Sequence, residues 1–372
     1  MTFASPTMTT EASAIRVMVV DDSAVVRGMI SRQLGADPEL TVVATAANGE
    51  LALAELDRRP VDVVVLDIEM PVMDGMAALA EMRARHPTVK VVMASTYTRR
   101  NAEISLKALR LGAGDYVAKP ESGLGAAEAF QHELLAKVKA LGRARARAPQ
   151  AAPASASLAP AAVAPAAPTL RPHLGKIVRP AVVAIGASTG GPPALLKVYE
   201  AIRGAVEQPI LLTQHMPAAF TGPFAEQLAR AGNRPCAEAV DGEPVLPGRC
   251  YVAPGGWHMT VESPGIGVPP VIRLNQDAPE NFCRPAVDPM LRSVARVYGA
   301  AVVTLILTGM GADGARGVDA IAKAGGRIAA QDEATSVVWG MPGAVAATGL
   351  AETLLPLDEV GPWLVRISEQ RA

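Results

Sequence analysis

Three polar residues, far apart in the chain, each follow an apolar run of strand length. Ser188 comes after Ala181-Val-Val-Ala-Ile185 and before Thr189-Gly-Gly-Pro-Pro193, where a helix-like segment begins. His215 comes after Pro209-Ile-Leu-Leu-Thr213. Asp313 lies in the turn Thr308-Gly-Met-Gly-Ala-Asp-Gly314, which follows Val302-Val-Thr-Leu-Ile-Leu307. A serine at a glycine-flanked strand-to-helix turn has its hydroxyl beside backbone N–H groups that favour negative charge. Together with a histidine and a carboxylate it makes the parts of an acyl-transfer triad: nucleophile, general base and orienting group. Each residue alone has a plainer reading, with Ser188 as a helix cap, His215 as a structural histidine and Asp313 as a turn residue. Their co-occurrence after three strand-like runs favours the triad.

The order of the three discriminates between scaffolds. Gly186-Ala-Ser188-Thr-Gly190 matches the Gly-x-Ser-x-Gly elbow of α/β-hydrolases, whose triad runs Ser, acid, His. Here the order is Ser188, His215, Asp313, and no histidine follows His258. The α/β-hydrolase reading therefore fails. For the three side chains to meet, their strands must share one parallel sheet, with carboxyl ends on a common rim.

The front of the chain carries a second set of strand-end residues. Arg16-Val-Met-Val-Val20 ends in Asp21-Asp22, and Val61-Asp-Val-Val-Val-Leu66 ends in Asp67. Lys90-Val-Val-Met-Ala94 leads to Ser95-Thr96, and Asp115-Tyr-Val-Ala118 leads to Lys119-Pro120. Helix-like stretches near 24–35, 49–58, 74–86 and 99–111 separate them, a βα alternation that predicts a doubly wound parallel sheet. Three carboxylates on one edge suit Mg²⁺, a hard cation that prefers oxygen ligands. With Lys119 the metal would neutralise a phosphoryl group on Asp67, and the Ser95 hydroxyl would bond one phosphoryl oxygen. The plainer reading has Asp21 and Asp22 capping the first helix and Lys119-Pro120 making a turn.

Composition divides the chain. Residues 126–147 read as a last amphipathic helix ending in Arg143-Ala-Arg-Ala-Arg147, and Ala148 to about Pro172 is almost entirely Ala, Pro and Ser. Such a stretch is too poor in large apolar groups to fold and predicts a flexible spacer. The arginine run reads as a solvated helix end, where cations are favoured. The 372 residues carry 35 Lys and Arg against 36 Asp and Glu, so nothing supports long-range attraction to nucleic acid or an anionic membrane. No apolar run approaches the ~20 residues of a membrane span. The small, polar residues 1–14 lack the zones of a signal peptide and are expected to form a disordered leader. Cys236, Cys250 and Cys283 are odd in number and lack metal-type spacing, which predicts free, mostly buried thiols in a reducing cytoplasm.

Several ordered motifs carry a resemblance. Gly186-Ala-Ser-Thr-Gly-Gly191, Gln214-His-Met-Pro217, Tyr251-Val-Ala-Pro-Gly255 with His258, and Leu307-Thr-Gly-Met-Gly-Ala-Asp-Gly314 look like the CheB family of chemotaxis protein-glutamate methylesterases, over roughly 178–366. The acids, hydroxyl and lysine at successive strand ends, with Asp67-Ile-Glu-Met-Pro71 and Met73-Asp-Gly75, resemble a response-regulator receiver domain. The resemblance implies Ser188 as nucleophile, His215 as base and Asp313 as its orienting partner, with Thr189 and Met310 lining the site through backbone donors. It implies Asp67 as phospho-acceptor, Asp22 and Asp67 as principal Mg²⁺ ligands with Asp21 assisting, and Tyr116 at the aromatic switch position. No cofactor is implied for the esterase reaction. His258 ranks as structural or substrate-contacting. One departure is Cys283-Arg-Pro-Ala-Val-Asp288, where the family usually reads His-Arg-Pro-Ser-Val-Asp, a change expected to alter substrate contact or local packing.

The expectations are therefore these. The fold is α/β: a leader (1–14), a five-stranded parallel receiver domain (15–140), an Ala/Pro-rich linker (141–177) and an α/β domain with a mostly parallel sheet (178–372). The activity implied is hydrolysis of glutamyl methyl esters on methyl-accepting chemotaxis receptors, with deamidation of receptor glutamines. A histidine kinase is the implied phosphodonor; no nucleic acid and no membrane insertion are expected, and the implied location is the cytoplasm. The competing reading is a non-catalytic response regulator whose C-terminal domain only binds protein.

Overall fold

The computed structural model describes residues 14–96, 98–119, 124–147, 170–171, 178–265 and 267–370. The leader up to residue 13, Pro120 and the spacer from 148 to 169 lie outside the described residues.

The first sheet is built by β1 (Ile15–Val20), β2 (Leu40–Ala46), β3 (Val63–Asp67), β4 (Lys90–Ser95) and β5 (Asp115–Ala118). The helices between and after them are α1 (Ala24–Gly35), α2 (Gly49–Arg58), α3 (Gly75–Arg85), α4 (Arg99–Arg110) and α5 (Leu124–Arg147). Strand order is β2-β1-β3-β4-β5, and β1 pairs parallel with both β2 and β3. All five residues of β3 are buried, which is why it reads as an unbroken apolar run: a central parallel strand is covered on both faces. β2 has no such run in the sequence. It lies at the sheet edge and exposes Thr41 and Thr45, so its apolar signal is diluted. Helix α5 continues to Arg147, into the stretch expected as linker.

The order reverses between β1 and β3, and crevices form at the carboxyl ends of strands at such a switch point. Asp21 and Asp22 follow β1, and Asp67 ends β3. Gly75 keeps that edge compact: a Cβ on it would stand 2.0 Å from the Asp67 carbonyl oxygen. Backbone cannot yield there as a flexible side chain would. Gly75→Ala is therefore expected to cost about 1–3 kcal/mol, the usual range for overpacking. Thermal unfolding followed by circular dichroism checks this, and an unchanged melting temperature would contradict the close approach.

The second sheet has seven strands: β6 (Val182–Ala187), β7 (Ile210–Gln214), β8 (Cys236–Glu238), β9 (Cys250–Val252), β12 (Val302–Ile306), β13 (Arg327–Gln331) and β14 (Thr353–Leu355). A separate antiparallel hairpin joins β10 (His258–Glu262) to β11 (Val271–Asn275). The helices are α6 (Gly191–Ala201), α7 (Ala218–Gly232), α8 (Val287–Tyr298), α9 (Gly317–Ala324), α10 (Met341–Ala347) and α11 (Leu357–Glu369). The order is β14-β13-β12-β6-β7-β9-β8, with every recorded pairing parallel. Helix α8 buries Val287, Met290, Leu291 and Val294, one face at helical spacing, against Val182, Ala184, Val302 and Ile306 of the sheet. Each such side chain contributes roughly 1.5–3 kcal/mol relative to exposure. Among the described residues no helix is long and apolar enough to cross a membrane.

Candidate active site

The central strand β6 has β12 on one side and β7 on the other. The chain order therefore reverses at β6, where a parallel sheet opens its crevice. Register pairs Ala187 with Gln214 and Gly186 with Ile306, so the residues beyond these strands emerge side by side. The His215 amide donates to Ala187 O at 3.1 Å and the Ser188 amide to Thr308 O at 3.0 Å. The three sequence candidates thus leave three adjacent strand ends.

Ser188 is not a helix cap. The N-cap of α6 is Gly190, at φ +75°, and no side chain caps that helix. The Ser188 carbonyl accepts from Gly191 N at 2.7 Å and from Gln214 Nε2 at 3.0 Å, and Gln214 Nε2 also reaches His215 O at 3.3 Å. One amide therefore ties the serine turn to the histidine turn. Gly309 passes close by, and a Cβ there would lie 2.9 Å from Ser188 Cβ. Thr189 is buried, and its Oγ1 has no hydrogen-bond partner among the described residues. Met310, half-buried, follows Gly309.

Asp313 is 1% exposed and densely solvated by protein. Its Oδ2 accepts from Val287 N at 2.6 Å and lies 2.7 Å from His215 Nε2. Its Oδ1 accepts from Asn281 Nδ2, Asp288 N and Gly314 N, each at 3.0 Å. Val287 and Asp288 open α8, whose N-cap residue, Ala286, has no side-chain oxygen to offer. Asp313 takes that place from another strand, where the helix start favours negative charge. Burial alone would raise the Asp313 carboxyl, but the hydrogen bond and charge of His215, with the backbone N–H groups, bring it below the ordinary carboxylate range. The neighbouring Asp288 goes the other way: burial first, then the Asp313 charge, push it up. Asp288 accepts from Gly314 N, Gly317 N and Asn281 Nδ2, so it anchors the start of α9 as Asp313 anchors that of α8.

An ionised Asp313 can only accept, so His215 Nε2 carries one ring proton and Nδ1 is the nitrogen that takes up or gives the second. Nδ1 lies 3.4 Å from Cys283 Sγ. Burial acts to lower the His215 pKa, but Cys283 and Asp313 outweigh it and raise the value to about 10. In its neutral form the ring keeps Nδ1 open to accept a proton. Cys283 is presented by a two-residue turn: Glu280 and Cys283 exchange backbone hydrogen bonds, with Asn281 at φ +52° and Phe282 at φ +62°. His258 is 1% exposed; its Nδ1 accepts from Ala286 N and its Nε2 donates to Ala278 O, which makes it a brace for the approach to α8.

Gln214, Asn281 and Asp288 went unassigned in the sequence. Gln214 and Asp288 stood inside quoted motifs, so a signal existed for them. Asn281 had none, because its contact depends on a loop folding back onto Asp313.

On the first sheet, Asp21, Asp22 and Asp67 bring one oxygen each within 4.8 Å of one another. The capping alternative does not hold for the first two: the N-cap of α1 is Ser23, whose side chain accepts from Val26 N. An oxygen-only donor set of this kind fits a magnesium ion. Ser95 is buried and its Oγ accepts from Ser105 Oγ at 3.1 Å; the Lys119 amide donates to Ser95 O at 2.7 Å. Tyr116 lies buried in β5. Cys236, Cys250 and Cys283 are free thiols, Cys250 buried and the other two half-buried.

Two protein families match the chain in order. The CheB methylesterase family matches residues 183–364, and the response regulator receiver domain family matches residues 17–126. A protein-glutamate methylesterase/protein-glutamine glutaminase of the group 2 operon from Rhodospirillum centenum is 53% identical, covering 96% of this chain and 95% of that one. A protein-glutamate methylesterase/protein-glutamine glutaminase from Azospirillum brasilense is 50% identical, covering 99% and 96%. The solved CheB methylesterase catalytic domain of Thermotoga maritima is 36% identical, with a TM-score of 0.49, over 51% of this chain and all of that one. With its relatives matched from end to end and both domain families present in order, this chain belongs to the CheB methylesterase family.

Proposed function

We infer that this chain is a phosphorylation-regulated protein-glutamate methylesterase that also deamidates glutamine side chains of its receptor substrates. The observation that carries the reading is the 2.7 Å hydrogen bond from His215 to a buried Asp313, beside the strand-end turn that holds Ser188. A module that only bound protein would have no need of a buried carboxylate clamped to a histidine.

In the reaction, Ser188 Oγ attacks the γ-glutamyl carbonyl and its proton passes to His215 Nδ1. Asp313 holds the tautomer and stabilises the imidazolium that forms. The Ser188 amide is engaged by Thr308 O, so oxyanion stabilisation falls to groups of Thr189 and Met310. The imidazolium returns the proton to the leaving methanol, or to ammonia from a glutamine, and water then releases glutamate from the acyl-enzyme. The test is methanol release from methylated chemoreceptor cytoplasmic domains, with Ser188→Ala as the control.

The family matches at 17–126 and 183–364 support a receiver that starts near residue 15 and a catalytic domain over 178–372, with the linker beginning only after α5 ends at Arg147. Asp67 accepts the phosphoryl group from a chemotaxis-type histidine kinase in the cytoplasm. Magnesium, when held by Asp22 and Asp67 with Asp21 assisting, supplies positive charge against the phosphoryl oxygens. Lys119 adds a further cation, and Ser95 a hydroxyl donor. A small acyl-phosphate donor with Mg²⁺ is expected to raise the esterase rate about tenfold, within the usual range of coupling between sites. Chelation of the metal or Asp67→Asn should abolish the rise, and equal rates with and without donor would refute phosphorylation control.

A further inference from the structure

Cys283 lies on the ring nitrogen of His215 that Asp313 leaves open. Its Sγ is 3.4 Å from His215 Nδ1, while His215 Nε2 is 2.7 Å from Asp313. A nucleophilic atom, a ring nitrogen in reach of it and a third group orienting the ring are the marks of an activated nucleophile. With Nε2 holding the ring proton, Nδ1 can accept from the thiol. The placement is built in: the turn at Asn281 and Phe282 is tied by Asn281 to both Asp288 and Asp313. The other two thiols have different surroundings. Cys236 and Cys250 are partners in register across β8 and β9, and the Tyr199 hydroxyl lies 2.8 Å from Cys250 Sγ.

We propose that Cys283 is a second nucleophile of this site, reactive toward soft electrophiles through His215, and that its modification silences the esterase. With iodoacetamide, the Sγ–C bond forms as the C–I bond breaks. Iodide leaves with the electron pair, and the thiol proton passes to His215 Nδ1. The resulting thioether has no proton to give and fills the space beside Nδ1, which leaves Ser188 without its base. The loss of turnover rests on the esterase reading given above; the reactivity of the thiol does not.

The test treats the full-length protein with limiting iodoacetamide at neutral pH and follows each cysteine by peptide mass spectrometry. Cys283 is expected to be labelled about tenfold faster than Cys236, and His215→Gln should remove that advantage. In parallel, labelling of Ser188 by a fluorophosphonate probe should fall in step with Cys283 occupancy. Treated Cys283→Ala should keep the Ser188 labelling of its own untreated sample. The ranking of the three cysteines in the unmutated protein needs no variant, so a misfolded His215→Gln would not spoil it. Faster labelling of Cys236 or Cys250, or an unchanged Cys283 rate in folded His215→Gln, would overturn the proposal. Full Ser188 labelling at complete Cys283 occupancy would overturn its link to turnover. Absent Ser188 labelling before treatment would count against the esterase reading alone, with the alkylation rates still decisive for Cys283.

Discussion

Ser188→Ala is expected to lower methanol release by about 10⁴- to 10⁶-fold in kcat, since removing a triad nucleophile leaves only binding and oxyanion stabilisation. Stability should hardly change. The serine is anchored through its backbone, by Thr308 O on its amide and by Gly191 N and Gln214 Nε2 on its carbonyl. None of those bonds needs the hydroxyl, so the melting temperature should stay within about 2 °C of the parent, as for substitutions that break no buried contact. Deamidation should fall with demethylation, because both begin with the same attack. Substantial hydrolysis by a folded Ser188→Ala protein would remove the residue from the mechanism.

Asp313→Asn should fail in a different way, losing both rate and stability. The rate should drop about 10³- to 10⁴-fold, because an amide no longer holds the base tautomer or stabilises the imidazolium. The stability loss follows from counting donors. Asp313 Oδ1 accepts three N–H bonds, and Oδ2 accepts from Val287 N and His215. An asparagine has one oxygen, so its NH₂ group must point at donors whichever way it turns. The penalty should be about 3 kcal/mol, the scale for breaking a buried pair and stranding its partners. The acid side supplies a further check. The Asp313 carboxyl is depressed in the fold, so it contributes stability above the ordinary carboxylate range and loses it as pH falls through the folded value. The Asn variant should lack that part of the acid sensitivity. Paired measurements of kcat and melting temperature against pH decide the matter. An Asp313→Asn protein with parent turnover would show that His215 needs no carboxylate.

The strands that carry site residues were legible as apolar runs, as at β3 and β6, while the buried interior strand β13, which ends in no candidate residue, was not. The edge strand β2 was not legible either, because two of its seven positions are exposed, both threonines, and they break the apolar run. Composition also marked the Ala, Pro and Ser stretch from Ala148, which starts just past the end of α5 at Arg147. Strand-end position singled out Ser188, His215 and Asp313, together with the three acids of the first sheet, because a residue that ends a buried parallel strand emerges at the rim whatever surrounds it.

Which strand ends become neighbours is another matter. β12 lies beside β6 although more than a hundred residues separate them, and strand order follows from how helices pack over the sheet, which no local pattern encodes. The same holds for the use of Asp313 as the missing cap of α8, for the Asn281 bridge to Asp288, and for the sulfur of Cys283 on His215 Nδ1. Those contacts arise only when loops from separate elements close on one point. Residue order along the chain reveals which chemical groups reach the rim; their partners are set only in the folded molecule, because hydrogen bonds are chosen by proximity in space and not by distance along the chain.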